Sequence, residues 1–202
     1  TLSLVDERVD ILDERGELTG EVAWKSEAHR DGLWHRCFHC WILIPEGPYL
    51  LVQRRASVKD TWPGYLDVTA AGHLAAGEKP LDGLREVEEE LGLQVDSDRL
   101  IPLGTRRIEQ EIPQGRDREF HDIFMLLDST PPSHLRLQTE EVDTVLRLRL
   151  EDIPRLYTDQ PVFAEEWRAG EKRRMRVRLS DFVPNEDGYL SWIAEKAHDL
   201  LS

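Results

Sequence analysis

The sequence predicts an α+β fold with a mixed sheet, and three observations lead there. Short apolar runs of strand-like composition fill most of the chain up to Leu148, while helical spacing recurs at only a few places. The two kinds of element mix without strict alternation, which argues against a repeated strand-helix-strand unit. The chain has 202 residues, enough for one substantial core, and no repeat or low-complexity linker divides it. One domain spanning residues 1–202 is therefore expected.

In order along the chain, strands are expected around Glu7–Leu12, Glu21–Lys25, Arg36–Ile44, Tyr49–Arg54 and Asp67–Ala71. Further strands follow at Ile101–Glu111, Glu119–Leu127 and Val142–Leu148, with Gln114–Arg118 read as a hairpin or mobile loop. Helices are expected at Leu81–Leu91, near Leu150–Leu156, and over Glu186–Leu201, where Trp192, Ile193, Ala197 and Leu200 recur at helical spacing. The basic run Arg173–Arg178 reads as an exposed strand or helix face.

The most informative stretch is Gly72-His-Leu-Ala-Ala-Gly-Glu78 followed by Arg85-Glu86-Val-Glu-Glu89-Glu90-Leu-Gly92-Leu93. At about 100° per residue, Glu86, Glu89 and Glu90 share one helix face, opposite a stripe of Leu81, Leu84, Val87 and Leu91. Like charges at these spacings repel unless a cation or a partner such as Arg85 offsets them. Hard oxygen ligands of this kind suit Mg²⁺ or Mn²⁺ bridging to phosphates, whereas a solvated acidic face is the plainer meaning of such a run. Pro80 falls where a first helical turn accepts proline, and Gly92 marks a C-terminal stop.

This pattern resembles the Nudix box: Gly, five residues, Glu, seven residues, then Arg-Glu-apolar-any-Glu-Glu-any-Gly-apolar. Gly72, Glu78, Arg85, Glu86, Val87, Glu89, Glu90, Gly92 and Leu93 match every fixed position, except that six residues, not seven, separate Glu78 from Arg85. Because Arg85–Leu93 keeps its internal spacing, the shortening is expected to be absorbed near Lys79–Gly83. Segments Glu7–Glu14, Glu27–Leu43, Gln53–Gly72 and Glu140–Val145 resemble the isopentenyl-diphosphate-isomerase-like branch of the same superfamily. The resemblance implies a Nudix-type α/β/α sandwich with a mixed β-sheet.

It also implies an activity: attack of water on a diphosphate linkage in a small nucleoside diphosphate derivative or other organic diphosphate. Glu86, Glu89 and Glu90 would hold Mg²⁺ (or Mn²⁺), with the Gly72 carbonyl as a further ligand and Arg85 within the catalytic set. Candidates for the base are Glu89, Glu119 and Asp122, the last two with an ordinary polar strand end as the alternative. Arg55 and Lys59 fall where this branch holds a diphosphate, and an exposed basic loop is the alternative. In isomerases of this branch a catalytic Cys precedes the Gly-His pair; here that residue is Ala71, which can neither give nor take a proton. Hydrolysis is thus expected, with prenyl-diphosphate isomerisation and a catalytically silent binding module as rivals.

Cys37-Phe-His-Cys40 contains a Cys-x-x-Cys, but strand alternation sends the two sulfurs to opposite faces and no second ligand pair accompanies them. His35 and His73 match metal-binding positions of the isomerase branch, with His29 a weaker third and satisfied strand or loop histidines as the alternative. A net charge of −14 disfavours long nucleic acid, while small phosphorylated ligands remain compatible with local Arg and Lys. Runs such as Ile123–Leu127 are too short to cross a bilayer, and the cysteine usage suggests a cytoplasmic enzyme.

Overall fold

The computed structural model describes residues 5–185 and 187–202. Strand β1 (Arg8–Leu12) pairs antiparallel with β2 (Leu18–Trp24), and the chain then turns directly into helix α1 (Lys25–Asp31). A strand was expected to run on through Lys25. Instead, the Glu27 carboxylate accepts the Trp24 backbone N–H at 3.0 Å, starting a helix that Gly32 ends in a left-handed conformation. With only Ala28 buried, this helix shows no apolar period for sequence reasoning to detect.

The organising strand is β3 (Trp34–Ile44). Along one edge it runs parallel to β8 (Gly115–Leu127), from Trp34 opposite Arg118 to Leu43 opposite Leu127. Its other edge pairs in turn with Leu12 of β1, with β6 (Ala70–His73), and with β4 (Tyr49–Arg55). Strand β5 (Leu66–Asp67) pairs with β4, and β7 (Ile101–Ile112) forms a long hairpin with β8. The hairpin turn is the two residues Pro113 and Gln114, so Gly115–Arg118 belongs to a strand and not to the expected loop.

Beyond β4 the sheet continues through β9 (Val142–Arg149) to β10 (Val162–Arg168) and β11 (Glu171–Val177). The basic run is therefore a strand, one half of a hairpin that the sequence reading did not delimit. Leu150–Tyr157 forms 3₁₀ turns rather than an α-helix, because Pro154 in its middle cannot donate to an α-helical ladder. The last helix, α3, spans Tyr189–Leu201; its expected start at Glu186 lies outside the described residues.

Side-chain alternation on β3 and β8 divides the interior into two cores. Phe38, Cys40, Ile42 and Leu126 face the second helix, α2 (Arg85–Leu91), packing on Val87 and Leu91. Trp41, Leu43, Ile123 and Met125 face α3, packing on Tyr189, Leu190 and Ile193. A sheet between helices on both faces is the sandwich expected from the sequence. None of the described helices is long and apolar enough to cross a membrane.

The stretch before α2, where the shortening is expected to be absorbed, is not regular α-helix. Pro80–Leu84 winds as a 3₁₀ turn, tighter than an α-helix, and regular α-helix begins only at Arg85. Leu81 is consequently exposed at 48 % rather than part of the anchoring stripe. The turn sits so close to β3 that a Cβ on Gly83 would lie 2.3 Å from Phe38 Cγ. Gly83→Ala is expected to destabilise the protein by about 1–3 kcal/mol, because a fully buried ring must shift. A denaturant midpoint equal to wild type would show that the turn is looser than described.

Candidate active site

Three short elements converge on the α2 face of the sheet. Gly72 on β6 brings its Cα against the Glu86 carboxylate, so that a Cβ there would lie 2.2 Å from Glu86 Cδ. One turn further along α2, Glu90 accepts the Ala71 backbone N–H at 2.9 Å and the Gln53 side-chain amide at 3.4 Å. Arg85 ties the loop to the helix. Its guanidinium donates to both Glu78 oxygens at 2.8 and 2.7 Å, to Glu86 at 2.6 Å and to the His73 carbonyl at 3.2 Å. Glu78 in turn accepts the Ala75 N–H at 2.7 Å.

The three glutamates of α2 thus occupy different environments. Glu90 is buried, Glu86 is mostly buried, and the Glu89 side chain is 52 % exposed, 3.5 Å from Arg85. Glu86 and Glu90 thus turn toward β6 and β4, whereas Glu89 keeps half of its side chain in solvent. Burial pushes Glu86 up to about 7, with Arg85 opposing and Glu89 reinforcing the shift. Burial, together with the charge of Glu86, pushes Glu90 up to about 8.

These shifts set a pH dependence. A carboxyl that holds its proton more tightly when folded stabilises the fold at low pH, and that contribution is lost as pH rises from the unfolded value through the folded one. In EDTA, stability is therefore expected to fall between about pH 5 and pH 8, by on the order of 6 kcal/mol for the two groups together. Thermal melts in EDTA at about pH 5.5 and pH 8.5 measure it, and a melting temperature that rises with pH contradicts the assignment.

The opposite face of β6 and β3 holds a second cluster. His29 from α1, His35 from β3, His73 from β6 and Glu119 from β8 bring ligand atoms within 4.8 Å of one another. Asp117 adjoins them, its Oδ1 3.6 Å from His29 Nε2 and 3.9 Å from His35 Nε2. Glu119 Oε2 lies 3.6 Å from His73 Nε2 and 3.5 Å from His121 Nε2. Five buried polar atoms here have no hydrogen-bond partner: Nε2 of His29, His35 and His73, Asp117 Oδ1 and Glu119 Oε2.

His35 Nδ1 lies 2.9 Å from the Leu33 carbonyl, which only accepts, so Nδ1 carries a hydrogen and Nε2 is the ring atom turned to the cluster. Burial pushes His73 down to about 3 and lowers His29, which keeps both rings neutral. Burial and the neighbouring Glu119 push Asp117 up to about 10. Burial alone would raise Glu119 too, but the polar groups crowded around it, His73 first among them, hold it well below the usual range. Neutral imidazoles beside an ionised carboxylate, with unpartnered polar atoms facing one another, are a set of residues that could hold a metal ion.

The other sequence candidates already have partners. Asp122 is held by Arg36 through two bonds of 3.0 Å and points to the face away from the histidines. Arg55 donates to Asp67 at 3.1 Å and to the Thr61 carbonyl, while Lys59 is paired with Glu141. Sequence reasoning missed Asp117 and Gln53. The Asp117-x-Glu119 alternation, which sets two carboxyls on one face of a strand, was the available signal for the first.

A sheet sandwiched by helices, with carboxylates of one helix drawn in against a glycine at a strand end, defines an α+β sandwich with a buried acidic site at one strand end. The NUDIX domain model matches residues 33–167. An uncharacterized Nudix hydrolase of Clostridium acetobutylicum is 36 % identical over 194 residues, covering 91 % of this chain and 93 % of that one. An isopentenyl-diphosphate Delta-isomerase of Kocuria rhizophila is 32 % identical over 137 residues, covering 67 % and 75 %. Among solved structures, a Deinococcus radiodurans protein is similar with a TM-score of 0.58 at 22 % identity, covering 76 % of this chain and 91 % of that one. The chain belongs to the Nudix family, as an enzyme of its hydrolase class. Members generally work with divalent metal ions.

Proposed function

We propose that the protein hydrolyses a diphosphate linkage in a small organic or nucleoside diphosphate, with Mg²⁺ or Mn²⁺ held by Glu86, Glu89, Glu90 and the Gly72 carbonyl. The observation that supports this best is the withdrawal of Glu86 and Glu90 from solvent beside Gly72, with Arg85 as the cation bonded to Glu86. Two neighbouring carboxyls with raised proton affinity are costly unless a divalent ion displaces the protons. Such an ion, when bound, neutralises charge developing on the phosphates and makes a bound water more acidic.

Each of the chain's own residues then has a role in this reading. Arg85 is a positioning residue that fixes Glu78 and Glu86 relative to β6. Glu89, half-exposed and held only by a 3.5 Å contact, is the carboxylate free to take the proton of the attacking water. Glu119 serves the histidine cluster, and Asp122 is neutralised by Arg36, so neither is assigned as the base. Arg55 and Lys59 receive substrate phosphates by exchanging Asp67 and Glu141 for phosphate oxygens. His29, His35, His73 and Glu119, with Asp117 beside them, suit a softer ion such as Zn²⁺ better than Mg²⁺.

The isomerase rival needs a proton donor or acceptor at residue 71, where an alanine stands with its N–H bonded to Glu90. The discriminating experiment incubates the protein with Mg²⁺ or Mn²⁺ and a panel of nucleoside diphosphate derivatives, cofactor diphosphates and isopentenyl diphosphate, resolving both products. Cleavage of at least one anhydride, with no allylic isomer from isopentenyl diphosphate, is the expected result. An isomer without phosphate release would overturn the reading.

A further inference from the structure

The basic strand β11 is not used by the catalytic reading, and it borders a groove of about 550 Å³ on the face of β9, β10 and β11. Tyr49 lines this groove, whereas Gln53, four residues along β4, reaches Glu90. The groove therefore opens about 13 Å along the strand from the carboxylates of α2. Six cationic side chains line it against two acidic ones, in a chain whose net charge is −14. A local positive island of this kind runs against the field of the whole protein.

Internal ion pairs account for part of that charge. Glu165 accepts from Arg147 at 3.0 Å and from Lys172 at 3.1 Å, and Asp152 is 3.0 Å from Arg155. Arg173 is only 3.8 Å from Glu166, whose other oxygen is bonded to Arg54 at 2.7 Å. Among the described residues Arg149 and Arg174 have no carboxylate within salt-bridge distance, and the buried Nε of Arg147 has no hydrogen-bond partner. Instead, Arg174 lies over the Phe163 ring at 3.7 Å and Arg149 is 5.3 Å from that of Tyr49. Like charges gathered on adjacent strands repel, and among the described residues Arg149 and Arg174 are left without a counter-charge.

We infer that this groove is a second binding site, separate from the catalytic carboxylates, for a small anion bearing an oligophosphate group. Planar guanidinium forks match phosphate oxygens in pairs, and an organic moiety would have to share the Tyr49 and Phe163 rings with the guanidinium groups stacked on them. The groove has the size of a small-ligand site, and the acidic remainder of the surface repels a long polyanion.

The test is calorimetric titration of the full chain, in EDTA at low salt, with inorganic tripolyphosphate in one arm and ADP in the other. Saturable binding of at least one anion is expected, weakened by salt and by about tenfold or more in the Arg149→Ala/Arg174→Ala double variant. Both side chains are exposed, so the fold should persist; Arg174→Gln is a milder second variant expected to weaken binding in the same direction. Glu86→Gln should bind as wild type does, which separates this site from the catalytic one. Tighter binding of ADP would assign the organic moiety to the aromatic faces, and tighter binding of tripolyphosphate would assign the affinity to the arginines alone. No binding of either anion, or equal binding by the double variant, would overturn the inference.

Discussion

Glu86→Gln is expected to lower diphosphate hydrolysis by roughly 10²–10³ at saturating Mg²⁺, because a metal ligand worth several kcal/mol at the transition state is lost at 1.36 kcal/mol per decade. The same variant should be more stable than wild type in EDTA at about pH 8, since a neutral amide replaces a carboxyl whose ionisation is opposed by burial. That pairing of opposite signs separates loss of chemistry from loss of fold. Turnover measured beside a thermal melt provides both readings. A variant as active as wild type would remove Glu86 from the chemistry. A variant that is inactive and also less stable in EDTA would point to a structural role.

Arg85→Ala is expected to have the largest effect on stability. The guanidinium joins Glu78, Glu86 and the His73 carbonyl through bonds of 2.6–3.2 Å, at a position where its side chain is 32 % exposed. Truncation leaves Glu78 and Glu86 without their cation, which costs about 3 kcal/mol, the lower end for breaking a buried pair because the site is partly wet. In a chain of this length that corresponds to a melting temperature lower by roughly 6–12 °C. Arg85→Lys should recover only part of it, since an ammonium group cannot span Glu78 in two bonds and reach Glu86 as well. A melting temperature within about a degree of wild type in Arg85→Ala would show that this network contributes little.

How much was legible in the sequence follows from the range of the interactions. Local spacing was enough for α2 and for the face that Glu86 and Glu90 share, and the sandwich follows from helices on both faces of the sheet. The 3₁₀ turn at Pro80–Leu84 falls where the short spacing between Glu78 and Arg85 required an adjustment. The burial of Glu90 was not legible, because it depends on Gln53 and Ala71 from β4 and β6. The histidine cluster depends on longer range still. The parallel pairing of β3 with β8 sets His35 opposite Glu119 across more than eighty residues, and α1 delivers His29 from a helix too short to announce itself. The β10–β11 hairpin was obscured because its outer strand is nearly all charged, which removes the apolar alternation that marks a strand.

The most direct test of the central claim is an anomalous-difference map from crystals soaked in Mn²⁺. A peak between the Gly72 carbonyl and the carboxylates of Glu86 and Glu90, lost in Glu86→Gln, is the predicted result. Mn²⁺ bound only among His29, His35, His73 and Glu119, with nothing beside α2, would contradict it.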